Sequence, residues 1–295
     1  MIATLRFFVR LSRLVPALAA AGLAWLLGAF APALAEPGGQ PFAQAHQRGV
    51  LVVGVPYLAP PALAGAKIRT PERLDSVMAT RLGEQLGLPV RLVQIDPARR
   101  ALTLADGTVD LVVADRMAGQ SAAGVDTSSV DTSGVAVVPA GYQARPKAVI
   151  RSDTSLRNWK QVKGRSVCMS SAAFQAQALA AQWGGVVRTY RVPSDALVAV
   201  REGACDIGLV DDTVWGPLMQ FPEWQKFSAT LPLDGPQSER VWLARADDTA
   251  ARQWLAAAMQ QWQRQGIWRA MAAKWARDVA FDVYLDQEVP DCHGG

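Results

Sequence analysis

The sequence predicts a two-lobed α/β protein in which each lobe is a mixed sheet flanked by helices and the chain crosses between lobes twice. Three observations carry this. First, REGACDIGLVDD, Arg201 to Asp212, repeats the pattern of LADGTVDLVVAD, Leu104 to Asp115: Gly107, Asp110 and Asp115 stand where Gly203, Asp206 and Asp211 stand later. Each copy reads as a helix end, a glycine cap and a buried parallel-type strand whose C-terminal end presents a carboxylate. Second, helical and strand periodicities alternate through most of the chain, as in α/β proteins. Third, a late β-prone run, Val241 to Ala244, has no partner near it in sequence and is suited to rejoin the first sheet. In open α/β sheets ligands sit outside the carboxyl ends of the strands, so two such sheets face to face would bring both acidic tips to a shared cleft.

Taken in order, the chain opens with Arg6, Arg10 and Arg13, an apolar run from Val15 to Phe30, and small residues at Ala33 and Ala35. This is the layout of a cleaved secretory signal over residues 1–35, with the mature chain beginning near Glu36. The run is shorter than the ~20 residues of a membrane-spanning helix, the competing reading. The formal charge of +4 for the whole chain comes largely from that segment: without its three arginines, 27 basic residues face 26 acidic ones. No basic stripe is present, so nucleic acid is not an expected partner.

Pro37 to Gly49 is a polar lead. Val50 to Val55 is a strand, broken by Pro56, Pro60 and Pro61, with Tyr57 at its tip. Leu74, Val77, Met78, Leu82 and Leu86 follow helical spacing up to a Gly87 cap. Pro89 to Ile95 alternates as a strand, and a helix from about Ala98 leads into the first copy of the repeat. Ala118 to Gly134 is a Ser/Gly/Asp-rich segment, either a ligand-contacting loop or a solvated connector. Val135 to Ile150 is extended, with Pro139 and Pro146, and provides the first crossing.

The second lobe begins with a short turn, Leu156 to Gly164, and the strand Ser166 to Met169. Ser170 and Ser171 then open a helix, where their hydroxyls either help bind an anion or simply cap it. Val186 to Val192 is a strand, and Ser194 caps the helix leading to the second copy. Asp212 and Thr213 start a further helix, so one of Asp211 and Asp212 is expected to cap it while the other faces the cleft. After the return crossing, Asp247 to Thr249 cap a helix with Leu255, Met259 and Trp262 on one face, and beyond Gly266 an apolar stripe continues through Trp268 and Trp275. Most of the tryptophans from 159 to 275 read as core, with ligand stacking a lesser alternative.

Of the three cysteines, Cys168 and Cys205 lie at neighbouring strands of the second lobe, and a disulfide between them is the preferred reading for an exported protein. The alternatives are two buried thiols, or a bridge from either one to Cys292 in the polar tail. The two histidines, His46 and His293, lie near the ends of the mature chain, and no nucleophile-elbow, zincin or P-loop pattern occurs. No cofactor or metal is expected.

The order of VLVVGV, RLDSVMATRLGEQLG, ADGTVDLVVA, LRNWKQVKGRSVCM, EGACDIGLVDD and GIWRAMAAKW resembles the type II periplasmic solute-binding proteins, specifically the family 3 group that serves amino-acid ABC importers. The resemblance implies a monomer that captures a small polar solute, such as an amino acid or related organic acid, for permease subunits in the membrane. It also implies where the ligand residues fall. Asp211 matches the acid that takes the ligand's amino group, and Asp75 an acid on the first-lobe helix. Ala59 and Ala62 replace the aromatic pair after the first strand, leaving Tyr57 nearby. Ala122 replaces the arginine that clamps the ligand carboxylate, so Arg116 is the local candidate for a substitute anchor, the alternative being an ion pair with Asp115. Ser170 and Ser171 stand in the altered carboxylate-binding turn. Domain boundaries follow: first lobe 36–145 and 236–295, second lobe 146–235. Two further readings share the fold: an accessory or sensory periplasmic protein with another protein as partner, which the three alanines favour, and a cyclohexadienyl dehydratase-like enzyme, which would rest on carboxylate chemistry by Asp75, Asp211 or Asp212.

Overall fold

Leu51–Val55 (LVVGV, β1) is buried along its whole length, the mark of a central strand covered on both faces. A computed structural model describes residues 39–58, 60, 74–117, 134–232 and 235–285, the side chains of 282–285 excepted. Residues 1–35, expected above to be a signal, lie outside the described residues, as do Ala59, Ala62, Ala122, Cys292 and His293.

β1 is flanked by β2 (Val90–Gln94) and β3 (Leu111–Met117), both parallel to it. β9 (Ser238–Arg245) returns late in the chain and inserts antiparallel between β3 and β4 (Val135–Ala144), giving the order β2-β1-β3-β9-β4. Alternation along β1 sends Leu51, Val53 and Val55 into one core and Val52 into the other. The first of these cores is covered by α2 (Leu74–Leu86) and α7 (Thr249–Arg264), whose Leu255, Met259 and Trp262 are buried as their spacing predicts. Asp248 caps α7 by accepting the Ala251 N–H at 2.9 Å.

The second sheet has the order β5-β8-β6-β7, from Pro146–Val149, Ile207–Asp211, Ser166–Ser170 and Val186–Tyr190. β6 is parallel to both β7 and β8, and β5 is antiparallel to β8. α4 (Phe174–Gln182), α5 (Pro193–Arg201) and α6 (Asp212–Leu218) flank it. The chain passes from the first sheet to the second at Arg145, between β4 and β5. It comes back between the single-residue bridges at Ser228 and Ala229 and the start of β9.

The repeat is structural as well as sequential. α3 (Arg100–Ala105) and α5 end in the same turn, with Gly107 at φ 74° and Gly203 at φ 79°, backbone that favours glycine. Val109 N–H then bonds Thr103 at 3.1 Å, and Cys205 N–H bonds Ala199 at 3.0 Å. The Asp three residues after the glycine in each copy pins the neighbouring parallel strand: Asp110 accepts the Val52 N–H at 2.8 Å, and Asp206 the Ser166 N–H at 2.8 Å. Arg48 reinforces the first clamp and Arg165 the second. Replacing Asp110 by Ala leaves a strand N–H without its acceptor and should cost ~1–3 kcal/mol. A urea-unfolding midpoint unmoved by this change would show that the clamp contributes nothing.

Four local expectations are corrected. The polar lead contains a short helix, α1 (Ala43–Arg48), docked through buried Ala45 and closed by Gly49 at φ 70°. The helix expected from Ala98 starts as a 3-10 turn, Pro97–Arg99, with Asp96 as its cap. Ser194 does not cap α5: Pro193 takes the first helical position and Ser194 is fully buried behind it. The helix expected to open at Ser170 and Ser171 begins only at Phe174, because Ser170 still belongs to β6.

α8 (Ile267–Leu285) packs on both cores. Trp268 donates its indole N–H to Ala140 O at 2.9 Å and Met271 joins the first core, whereas Ala272, Trp275, Ala276 and Val279 join the second beside Leu218, Trp224 and Phe227. Among the described residues no helix is long and apolar enough to cross a membrane.

Candidate functional site

β3 and β8 end in Asp115 and Asp211, and both carboxylates line one cavity of about 120 Å³ between the two sheets. Parallel strands entering from the two lobes put their carboxyl ends there, as the repeat implies. Arg240 and Tyr142 complete the polar side of the cavity. Neither stands out in the sequence.

Arg240 lies on β9 directly opposite Asp115 in the antiparallel register. Its Nη1 meets the Asp115 carboxylate, and its Nε lies 2.9 Å from Asp75 Oδ1. Asp75, in the first turn of α2, is only 1% exposed, and a carboxylate so placed is tolerable only when paired. The positive end of the α2 helix dipole adds to its stabilisation. Burial alone would lower the Arg240 pKa, but Asp115, Asp75 and Asp211 together hold it well above its ordinary value. Arg240 is therefore a fixed cation.

Tyr142, on β4, reaches across to the second lobe. Its hydroxyl donates to Asp211 Oδ2 at 2.9 Å and also meets the Thr213 hydroxyl. Burial, helped by the Asp211 charge, pushes the Tyr142 pKa well up, so the phenol stays neutral and able to donate. Burial also raises the Asp211 pKa. Arg240 and the Tyr142 hydrogen bond oppose this, and the Asp115 and Asp75 charges add to it. The Asp211 carboxyl therefore contributes stability when protonated, and that contribution is lost as pH rises through its elevated folded-state pKa.

The other residues singled out from sequence are placed as follows. Asp212 points away from the cavity: its Oδ1 accepts the Arg145 N–H at 3.1 Å, and its N–H donates to Arg145 O at 2.9 Å, which pins the first crossing to α6. Asp211 takes the N-cap position of α6, but its side chain does not cap. Arg116 is correctly sited beside Asp115 in sequence, yet it pairs with Glu239, not Asp115. Successive strand residues face opposite sides of a sheet, so the Arg116–Glu239 and Asp115–Arg240 pairs diverge, and Arg116 is not among the residues lining the cavity. Ser170 is buried, with its hydroxyl oxygen accepting the Ala172 N–H at 3.2 Å, and the Ser171 hydroxyl donates to Tyr190 O at 3.0 Å. The Ser170 hydroxyl is thus used within the turn, and that of Ser171 ties the turn to the end of β7. Tyr57 is half-buried beyond β1 and does not line the cavity. The remaining wall is mainly apolar, with Phe174, Leu209, Val214 and Trp275 among it.

Cys168 and Cys205 are bridged, their Cα atoms 6.1 Å apart, the pairing preferred from the sequence. The Tyr190 hydroxyl lies against both sulfurs, at 3.8 and 3.5 Å.

No family model matches the chain, and no curated protein matches it either. Solved structures do. The amino acid ABC transporter substrate-binding protein AbpA from Streptococcus pneumoniae, bound to L-arginine, aligns at 11% identity over 80% of this chain and 98% of its own, with a TM-score of 0.54. An ancestral cationic amino acid solute binding protein, AncCDT-1, aligns at 15% identity over 79% and 97%, with a TM-score of 0.53. A mutant of ArgBP from T. maritima aligns at 16% identity over 79% and 97%, with a TM-score of 0.51. The fold is that of a type II periplasmic solute-binding protein. In these terms the two sheets are the two lobes and the cavity lies in the interlobe cleft, with Tyr142 to Asp211 as a direct polar contact across it.

Proposed function

We propose that the chain is exported to the periplasm by a cleaved signal over residues 1–35 and there captures a small polar solute between its lobes, as a family 3 binding protein feeding an ABC importer. The observation that carries this reading is the meeting of Asp115 and Asp211, the two tips of the repeated motif, in one cleft with Arg240 and Tyr142. Asp211 is the contact we assign to the solute. Asp75 acts through Arg240, and Tyr142 sets the orientation of Asp211. Lobe boundaries at 145/146 and 235/236 fit the two sheet crossings, with α8 shared between the cores. The neighbours named above are binding proteins, although AncCDT-1 is also described as a precursor of cyclohexadienyl dehydratase.

A thermal-shift screen of the purified protein against amino acids, organic acids, amines and sugars tests the reading. A solute at roughly 100 times its dissociation constant adds ~2.7 kcal/mol, several degrees in Tm for a protein of this size. Asp211→Ala should abolish the shift. A screen flat across all classes, on protein with a cooperative unfolding transition, would defeat it.

A second reading has one observation in its favour. α8 has its first turns on the first lobe's core and its later turns on the second's, which ties the lobes together on one side. An accessory or sensory protein with a restrained hinge would be built this way, and it would show no domain closure in solution scattering with any solute.

A further inference from the structure

The cleft has no unspent cation among its described residues. Arg240 is the one basic side chain lining it, and that guanidinium is engaged by Asp75 and Asp115. Counting Asp211, three carboxylates stand against a single positive charge. Of these, Asp115 and Asp211 face the cavity, whose other wall is mainly apolar, with Phe174, Val214 and Trp275. In a partly desolvated cleft such an excess repels an anion and attracts a cation with little screening. A solute carboxylate would have to break the Arg240 pairs to find a partner, and so uncover the buried Asp75.

Building on the solute-binding reading above, we infer that the cleft selects an organic cation, an amine or quaternary ammonium with an apolar body and no carboxylate. Its positive group sits between Asp211 and Asp115, and its body lies against Phe174, Val214 and Trp275. The bound cation balances the charge of Asp211, whose Oδ2 is held in place by the Tyr142 hydroxyl. The raised Asp211 pKa fits this arrangement, because a cation beside it restores the ionised form.

Isothermal titration with three matched pairs tests the inference: phenethylamine against L-phenylalanine, cadaverine against L-lysine, and choline against glycine betaine. At least one carboxylate-free cation should bind roughly tenfold or more tighter than its carboxylated counterpart. Its affinity should fall as pH drops through the elevated Asp211 pKa, and Asp211→Asn should remove both the binding and that pH dependence. The amide keeps an oxygen to accept from Tyr142, so the variant should unfold at the wild-type temperature or above it, separating loss of binding from loss of fold. A carboxylated member that binds as tightly as its partner, or more tightly, overturns the selection for carboxylate-free cations while leaving solute binding intact. Failure of all six overturns this inference, and the wider screen then decides the solute-binding reading separately.

Discussion

Replacing Arg240 by Met is expected to destabilise the protein by ~3–5 kcal/mol, the usual effect of stripping the partner from a buried carboxylate. In thermal unfolding that is a fall on the order of 10 °C. The loss arises chiefly at Asp75, which is 1% exposed and has Arg240 Nε at 2.9 Å. Asp115 contributes less, since its side chain keeps 27% of its exposure and can turn to water. Because the stranded carboxyls are relieved by protonation, the deficit should shrink as pH falls. Adding Asp75→Asn to Arg240→Met should recover a substantial part of it, a non-additivity that a double-mutant cycle reads directly. Arg240→Lys should lie between, keeping the charge while losing the fork that serves two acids at once. A single-variant loss below ~1 kcal/mol would mean that the cluster is far wetter than its burial indicates.

Reduction of the Cys168–Cys205 bridge should produce the second large effect. The cysteines are 37 residues apart and both are buried, so releasing the loop returns ~3–4 kcal/mol of chain entropy to the unfolded state. The loss should be local at first. The bridge links β6 to the turn before β8, within the core formed by α5, α6 and part of α8, and the first lobe has a core of its own. Hydrogen exchange on reduced protein should therefore quicken in residues 146–232 before it does in β1, β3 and β9. Urea unfolding with and without dithiothreitol in a Cys292→Ala background isolates this bridge. Equal midpoints in the two conditions would show that it adds nothing.

The sequence alone was enough for most of the order of elements, though not for α1 in the polar lead, and for the repeat. Those signals are local: a glycine at positive φ after a helix, an apolar run, an acid at its end. The repeat pointed Asp115 and Asp211 to a shared cleft while leaving open whether Asp211 or Asp212 faces it, and strand adjacency made Cys168 with Cys205 the preferred bridge. The assignments that did not hold were those in which a side chain's direction mattered. Arg116 and Asp115 are sequence neighbours, but the strand's alternation sends them to opposite faces, and Glu239 takes the arginine. Ser170 and Ser171 precede a helical run, but the strand extends through Ser170, whose hydroxyl is used within the turn, while that of Ser171 bonds the end of β7. Nothing local marks Arg240 or Tyr142. Arg240 gains its role from a partner on β3 125 residues earlier, and Tyr142 from one on β8 69 residues later. Which groups share a buried cluster depends on antiparallel register and on how two sheets meet. Those are consequences of packing the whole chain, so only the tertiary structure could decide that Arg240 lines the cleft and is already paired with Asp75 and Asp115.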